Sequence, residues 1–558
     1  MIAKQLIEPK SIVVVGGSDD VHKPGGAVLR NLQDGNFKGS LYVVNPKMDE
    51  VQGIKACRDV KDLPEVDCAI LAIAAKFCPS TVEVLAKQKN TKAFIILSAG
   101  FHEENEEGAK LERQIVETVN SVGGSLIGPN CIGVLTNHYS GVFTSPIPEL
   151  NPQGVDLISG SGATALFIMD SGMQKGIKFN SMYSVGNSAQ LGVEEILEYM
   201  DESFDPKTSS RVKLLYVESI EKPEKLLKHA SSLIRKGCRI AAVKSGGSAA
   251  GSRAASSHTG ALASSDVAVE ALFRKAGIVR CNGRDELMTV AGIFMHPEMK
   301  GRNMAVVTHA GGPAVMLTDA LSNGGMDVPH IEGEKAQELL AKLFAGSSVG
   351  NPIDFLATGT AEQLGYILDA CDRDFDNIDG MAVIFGSPGL FPVFDVYNVL
   401  DEKMKTSKKP IFPIFPSSKI VKDEIAEFVS KGRVYFPDEV LFGNALCKIY
   451  KTPAPQPEHF EMPDMDVKKI REVVDNAQNG YLSPDEIHAL LDAAGVARAK
   501  EGVSDNEEEI VKMAKEIGFP LVMKVVGPIH KSDVGGVVLN VRDEETVRRE
   551  FKRMMQIK

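Results

Sequence analysis

A single histidine, His258, stands in SSHTGALASSD, Ser256 to Asp266, a stretch made almost wholly of small and hydroxylated residues. The preceding KSGGSAAGSRAAS, from Lys244, is equally short of bulk: between Gly246 and Ala263 only Arg253, His258 and Leu262 are large. So little apolar surface cannot order a segment by burial alone. Either the imidazole is incidental to a surface loop, or a ligand or neighbouring domain orders the stretch. Small residues let backbone N–H groups come close to an anion, and imidazole nitrogen is a competent nucleophile towards phosphorus. The chemistry these residues suit is phosphorylation of His258.

Other residues able to serve that chemistry sit at strand ends. GVDLISGSGATALFIMD reads as a strand, a Ser/Gly turn and a helix, and places Ser161 at a strand end, in the usual ligand crevice of a parallel sheet. VKLLYVESIEKPEKLLKHA leaves Glu218 just past a strand. A glutamate beside a histidine can accept its other N–H and stabilise a charged ring; otherwise it is a solvated strand-end charge. NMAVVTHAGGPAVMLTDAL repeats strand, glycine turn and helix, with Gly311 and Gly312 at the helix start and Pro313 tolerated in its first turn. These two glycines serve either an anion or simple chain reversal, and His309 beside them reads as a structural or supporting residue.

The elements that must position these groups follow from apolar runs alternating with amphipathic stretches. SIVVVGG, LYVVNP, CAILAIAA, AFIILSAG and SLIGPN mark a parallel, doubly wound sheet over residues 1 to about 130. Its first turn, GGSDDVHKPGGAVLRNL, is rich in glycine, but Gly16, Gly17, Gly25 and Gly26 do not match GxGxxG. The second strand ends in Asn45-Pro46-Lys47, where a nicotinamide-binding fold presents an acid to the ribose. A lysine there suits a phosphorylated ribose, as in coenzyme A or NADP; the alternative is a structural turn with no ligand. Residues 145 to about 295 and 300 to about 452 give two further α/β units. TPAPQPEHFEMPDMD is an acidic, proline-rich linker. Beyond it come two helices, one with Ser483 as N-cap, Pro484 following and Gly495 near its end, and then a helix–strand–loop–strand run. Lys524 lies within LVMKVV, where a buried ammonium would require an anionic partner such as a nucleotide phosphate.

Length and composition limit the function. At 558 residues the chain exceeds one core, so several domains are expected. An apolar content of 43% with no apolar run near 18 residues points to a soluble protein with no membrane partner. A net charge of −12 leaves no footprint for nucleic acid. The eight scattered cysteines suit reduced thiols and a cytoplasmic location, not a disulfide framework or a zinc site. No secretory signal is visible ahead of the first strand.

Taken together, SSHTGALA at Ser256, GPNCIGV at Gly128, ISGSG at Ile158, SVGN at Ser184, THAGGPAVM at Thr308, NPIDF at Asn351 and FPLVMKVVGPIHKSDVGGV at Phe519 resemble the ADP-forming (NDP-forming) acyl-CoA synthetases of the succinyl-CoA synthetase superfamily. The resemblance covers essentially the whole chain. It implies a CoA-binding Rossmann-like domain over 1–135 and a flavodoxin-like phosphohistidine domain over 145–298. It further implies a second flavodoxin-like domain over 299–452, a linker over 453–467 and a partial ATP-grasp domain over 468–558. The implied reaction interconverts acyl-CoA, ADP and phosphate with carboxylate, ATP and CoA, through an acyl phosphate and a phosphohistidine at His258.

By the same resemblance Glu218 orients the histidine, Ser161 and Gly162 bind phosphate from one helix start, and Gly311 and Gly312 bind it from the facing one. Gly16, Gly17, Ser18, Lys23, Asn45 and Lys47 hold coenzyme A, and Lys524 holds the ADP/ATP phosphates. The Mg2+ ligands are expected on ATP-grasp strands not contained in this chain, so the partners include either a second copy or further ATP-grasp sequence. Acyl-CoA phosphorolysis and histidine phosphorylation are accordingly expected of this chain more readily than ATP formation. Two departures stand near the expected phosphate: Gly160 where the family commonly has Gln, and His309 where it has Asn. The rival readings are a non-catalytic CoA- or acyl-CoA-binding protein of the same fold and an NADP oxidoreductase. Against the latter, nothing outside the first domain resembles a hydride-transfer site.

Overall fold

The computed structural model describes residues 2–35, 37–259, 265–387, 389, 392–457, 463–527 and 531–557; the side chains of 255–259 lie outside it. The chain forms two compact units, Met1–Gln456 and Pro457–Lys558.

Three sheets make up the first unit. In the first, the strand order is Glu50–Val51, Ile54–Cys57, Ser40–Val44, Ser11–Val15, Cys68–Leu71, Ala93–Ile96 and Ser125–Ile127. All pairings are parallel except that of the short Glu50–Val51 edge with Ile54–Cys57. Ser11–Val15 forms the centre because β-branched residues fit a pleated strand and Ile12 to Val15 are buried. Strand order reverses between Ser11–Val15 and Cys68–Leu71, so the glycine turn after Val15 lies at the topological switch point, where such sheets bind ligands.

The second sheet runs Val279–Cys281, Arg239–Lys244, Val212–Val217, Leu150–Ser159, Phe179–Ser184, Gly133–Leu135 and Ser140–Val142. The last two strands add an antiparallel hairpin to a parallel sheet. Here the order reverses between Leu150–Ser159 and Val212–Val217, which pair in parallel with Ser159 opposite Tyr216. Lys213 and Asp156 form a buried ion pair on these strands, and Asp156 also accepts from Ser181 Oγ (2.6 Å) and Asn180 Nδ2 (2.7 Å). The third sheet is smaller and wholly parallel: Ile353–Asp354, Met304–Thr308, Gly380–Ile384 and Ile411–Ile414.

Shared cores join the sheets. Ile12, Val14 and Ile70 of the first pack in one cluster with Tyr139, Ile158 and Tyr183 of the second. Tyr139 also donates its hydroxyl to Leu6 O (2.7 Å). Leu157, Ala165 and Ile168 share a second cluster with Met304, Val306, Ala314 and Leu317 of the third sheet and its first helix. The helix Arg284–Phe294 touches both Gly162–Gln174 and Glu439–Lys451. Buried apolar surface is worth roughly 25 cal/mol per Å², so such continuous interfaces favour a single body over loosely tethered domains.

The second unit has helices Val467–Asn476, Pro484–Ala493, Glu507–Ile517 and Glu544–Met554, and a two-stranded antiparallel sheet of Leu521–Lys524 and Val537–Val541. Ser483 caps as its type predicts: its Oγ accepts from Glu486 N–H (3.3 Å) and Glu486 returns the bond to Ser483 N–H (2.7 Å). The core of this unit is small, with Val511, Ala514, Met523, Val541, Val547 and Met554 in one cluster.

Candidate active site at the switch point of the second sheet

The strand Leu150–Ser159 ends in a hydroxyl clasp. Ser159 Oγ donates to Ser161 O (2.7 Å) and accepts from Ser161 N–H (3.2 Å), which turns the chain sharply into the helix Gly162–Gln174. Ser161 is the N-cap, its Oγ accepting from Thr164 N–H (3.3 Å). Gly162 is required by space, because a Cβ there would come within 2.5 Å of Ile132 Cγ2. The first N–H groups of this helix have no intrahelical acceptor and carry the positive end of its dipole, a ready anion site.

Glu218 follows the adjacent strand Val212–Val217 across the switch point. Ser161, Gly162 and Glu218 line one cavity of about 310 Å³, with Leu97, Ile132, Phe143 and Val193 as apolar wall. One strand further, Lys244 is buried at the end of Arg239–Lys244. Burial holds its ammonium below the ordinary range, with Asp266 and Glu218 opposing that shift and Arg280 adding to it. Sequence reading missed Lys244, although its place at a strand end next to Glu218's strand was a usable signal.

The backbone of His258 lies in the helix Ala249–Thr259, while its side chain, and residues 260–264, lie outside the described residues. Of its described side chains, Ala249, Ala250, Arg253 and Ala254 are exposed. Local interactions support the start of its helix. Alanine has the best helix propensity, Ser248 Oγ accepts from Gly251 N–H (3.0 Å), and Ser252 N–H reaches Ser248 O (2.7 Å). A reading that counted only apolar surface could not find that helix.

The helix start at Gly311 repeats the clasp. Thr308 Oγ1 donates to Ala310 O (2.8 Å) and accepts from Ala310 N–H (3.0 Å), and the helix Gly311–Asn323 follows. A Cβ on Gly312 would meet nothing within 4 Å, so no crowding explains that glycine. Gly311 and Gly312 do not line the Ser161 cavity. His309 is stacked on Phe385 (centroids 4.3 Å apart), and burial pushes its pKa below the ordinary imidazole value, partly offset by the carbonyl of Ile384.

The third group of sequence-selected residues comes together at the first sheet's switch point. Gly16 has φ +87°, and a Cβ there would stand 2.6 Å from Ala72 O; a Cβ on Gly17 would stand 2.6 Å from Val43 Cγ1. Gly25, in the helix Pro24–Asp34 that Lys23 precedes, packs its backbone on Gly16 O. Asn45 Nδ2 donates to Gly17 O (2.8 Å), and its Oδ1 accepts from Lys47 N–H (2.9 Å). Gln52, absent from the sequence reading, clamps the same loop: its amide donates to Ser18 O (2.7 Å) and Gly26 O (2.9 Å). Its own N–H goes to Asp19 Oδ1 (2.7 Å). The result is a bare backbone cradle flanked by Lys23 and Lys47, which fits the phosphates of coenzyme A.

Lys524 ends its strand and is exposed. The expectation that burial forces an anionic partner on it is therefore corrected: water can solvate this ammonium. It lines a cavity of about 310 Å³ inside the second unit, together with Met513, Val547 and Phe551. Among the described residues no group of three His, Cys, Asp or Glu side chains is placed to hold a metal ion. No helix there is long and apolar enough to cross a membrane, and the eight cysteines are free thiols.

A glycine-lined turn at one switch point, and a helix start with a carboxylate across from it at another, are the ligand positions of an α/β protein with parallel sheets. Comparison with known proteins narrows the class. Residues 10–137 match the CoA binding domain, 152–294 the succinyl-CoA ligase like flavodoxin domain, and 473–557 an ATP-grasp domain. The chain is 32% identical over 562 residues to acetate–CoA ligase [ADP-forming] I of Archaeoglobus fulgidus, covering 98% of this chain and 79% of that one. It is 43% identical over 94 residues to the beta subunit of acetate–CoA ligase [ADP-forming] I of Pyrococcus furiosus, covering 16% of this chain and 40% of that one. The structure of the dinucleotide-forming acetyl-coenzyme A synthetase 1 of Ca. Korarchaeum cryptofilum, in complex with phosphate and ADP, superposes with a TM-score of 0.72 at 26% identity, covering 80% of this chain and 96% of that one. The chain belongs to the ADP-forming acyl-CoA synthetases, acid–thiol ligases that use coenzyme A and adenine nucleotide.

Proposed function

We propose that this chain interconverts a short-chain acyl-CoA, ADP and phosphate with the free acid, ATP and CoA, using His258 as phosphoryl carrier. The observation that supports this most is the shared cavity of Ser161, Gly162 and Glu218 at the switch point of the second sheet. Phosphate at the Gly162 helix start attacks the thioester carbonyl, CoA leaves, and an acyl phosphate remains. A ring nitrogen of His258 then attacks phosphorus and the carboxylate departs. Glu218 accepts the other ring N–H, fixing the tautomer and stabilising the cationic phosphohistidine. The N–H groups of Gly162, and in our reading those of Gly311 and Gly312, stabilise charge on the phosphoryl oxygens; a single such donor is worth roughly 10²–10³ in rate. Gly16, Gly17, Ser18, Lys23, Asn45 and Lys47 bind coenzyme A. Lys524 receives the nucleotide phosphates, and Mg2+ would supply charge neutralisation there.

The domain limits 1–135, 145–298, 299–452 and 468–558 accompany this reading, as do a cytoplasmic location and either a second copy or further ATP-grasp sequence as partner. The apolar wall of Leu97, Ile132, Phe143 and Val193 supports a short aliphatic acyl group. Incubation with acetyl-CoA and labelled phosphate should leave an acid-labile label on the protein that His258→Ala abolishes. Label that survives the substitution would overturn the assignment. CoA binding without thioester loss would instead favour a non-catalytic binding protein.

A further inference from the structure

The cavity that holds Ser161 and Glu218 has a second polar wall, built by the loop after Ala93–Ile96 of the first sheet. His102 on this loop lines the cavity. Its Nδ1 lies 2.7 and 2.9 Å from the two oxygens of Glu112, which projects from the helix Glu106–Ser121 and is only 12% exposed. The loop is held on both sides. Glu103 accepts from Gly100 N–H (2.7 Å) and Phe101 N–H (3.2 Å). Asn187, just past the second sheet's strand Phe179–Ser184, donates to Glu103 Oε2 (2.5 Å) and to Glu112 Oε2 (3.2 Å). Asn130 Nδ2 donates in turn to Asn187 Oδ1 (3.3 Å). An isolated surface ion pair contributes about 0–1 kcal/mol, whereas this one sits in a network that spans two sheets. An imidazole whose Nδ1–H is held by a half-buried carboxylate presents Nε2 for proton exchange, the arrangement of an acid–base group.

Its location gives that group a task. His102 stands on the sheet whose switch point cradles coenzyme A, and it faces a cavity whose other wall is the phosphate-type helix start. The thioester step moves one proton between those two ligands: HPO4²⁻ and RCO–SCoA give RCO–OPO3²⁻ and HSCoA. A phosphate oxygen lone pair forms the new C–O bond, the C–S pair goes to sulfur, and the phosphate O–H proton must reach the departing thiolate.

We propose that His102, positioned by Glu112, takes that proton from phosphate and delivers it to the sulfur of CoA, returning to its starting state each turnover. This rests on the function proposed above, and the two can fail separately. The test uses the full chain with two assays. Acyl-CoA phosphorolysis is followed as release of free thiol from acetyl-CoA and phosphate. Phosphorylation of the protein by acetyl phosphate bypasses the thioester. His102→Ala should lower the first about 10²-fold, in the range of general acid–base contributions, with KM for acetyl-CoA within about twofold, and leave the second unchanged. Added imidazole should restore part of the lost rate. His102→Gln, which keeps a donor for Glu112, should show the same split if the alanine variant folds poorly, and Glu112→Gln a smaller one. Unchanged phosphorolysis in His102→Ala overturns the proposal. So does an equal fall in both assays with no rescue by imidazole, which would assign His102 to packing alone. If the unsubstituted protein is not labelled by acetyl phosphate, the function proposed above fails first.

Discussion

Glu218 and Ser161 stand just past neighbouring strands of the second sheet and line one cavity, and the proposed transfer needs both. Glu218→Gln keeps the shape and removes the charge that would stabilise a cationic phosphohistidine. We expect phosphorylation of the protein to slow about 10–100-fold, with the melting temperature within a few degrees of the parent, as measured by rapid-quench labelling and thermal scans. His296 offers a second residue-scale prediction, on stability. It is buried between Phe412 and Phe436, with Nδ1 2.8 Å from Gly292 O and Nε2 without a partner among the described residues. Burial pushes its pKa down to about 4. Below pH 6.5 the unfolded chain takes up a proton that the folded chain refuses until about pH 4, so stability is complete above 6.5 and falls as pH drops through that window. A pKa held that far down corresponds to about 3 kcal/mol. His296→Phe should remove that acid-dependent loss while changing stability at pH 7 far less, as read from denaturant titrations at pH 4 and 7.

At the scale of elements, the recurring device is a strand-end hydroxyl that clasps the residue two positions on and starts a helix with small residues. Ser159 and Thr308 both do it, and ISGSG and THAGG were legible in the sequence because glycine and hydroxyl types at a strand–helix turn have few other uses. The glycine loop after Val15 was half legible. Its glycines and lysines announced themselves, but Gln52, which holds Ser18 and Gly26, could not. An amide can donate in many folds, and only the hairpin Glu50–Cys57 brings it to those carbonyls. Gln52→Ala should raise KM for CoA about tenfold, the equivalent of the two neutral hydrogen bonds it removes, and leave KM for phosphate unchanged in steady-state assays. The helix Ala249–Thr259 was not legible from apolar surface, because alanine propensity and the Ser248 bonds favour its start.

For the whole molecule, the residues of the proposed thioester and acyl phosphate steps belong to the first unit, and Lys524 belongs to the second. Lys524→Ala should leave labelling of His258 by acetyl-CoA and phosphate unchanged and reduce only phosphoryl exchange with ADP, which a nucleotide-exchange assay measures with ATP-grasp sequence supplied if needed. Equal loss of both would reject the division of labour proposed here.

Composition, apolar periodicity and turn chemistry settled locally decided matters: the α/β class, the runs of parallel strand, and the glycine and hydroxyl turns at strand ends. These are encoded within windows of about twenty residues, since strand burial, caps and left-handed turns depend on near neighbours. Which strand ends meet was not local. The strand-order reversal that puts Ser161 beside Glu218, the meeting of two sheets that turns His102 towards them, and the carboxylate and amides behind it depend on residues up to about a hundred positions apart. Only the packed structure brings them within hydrogen-bonding reach, because a side chain's chemistry is set by what the fold places against it.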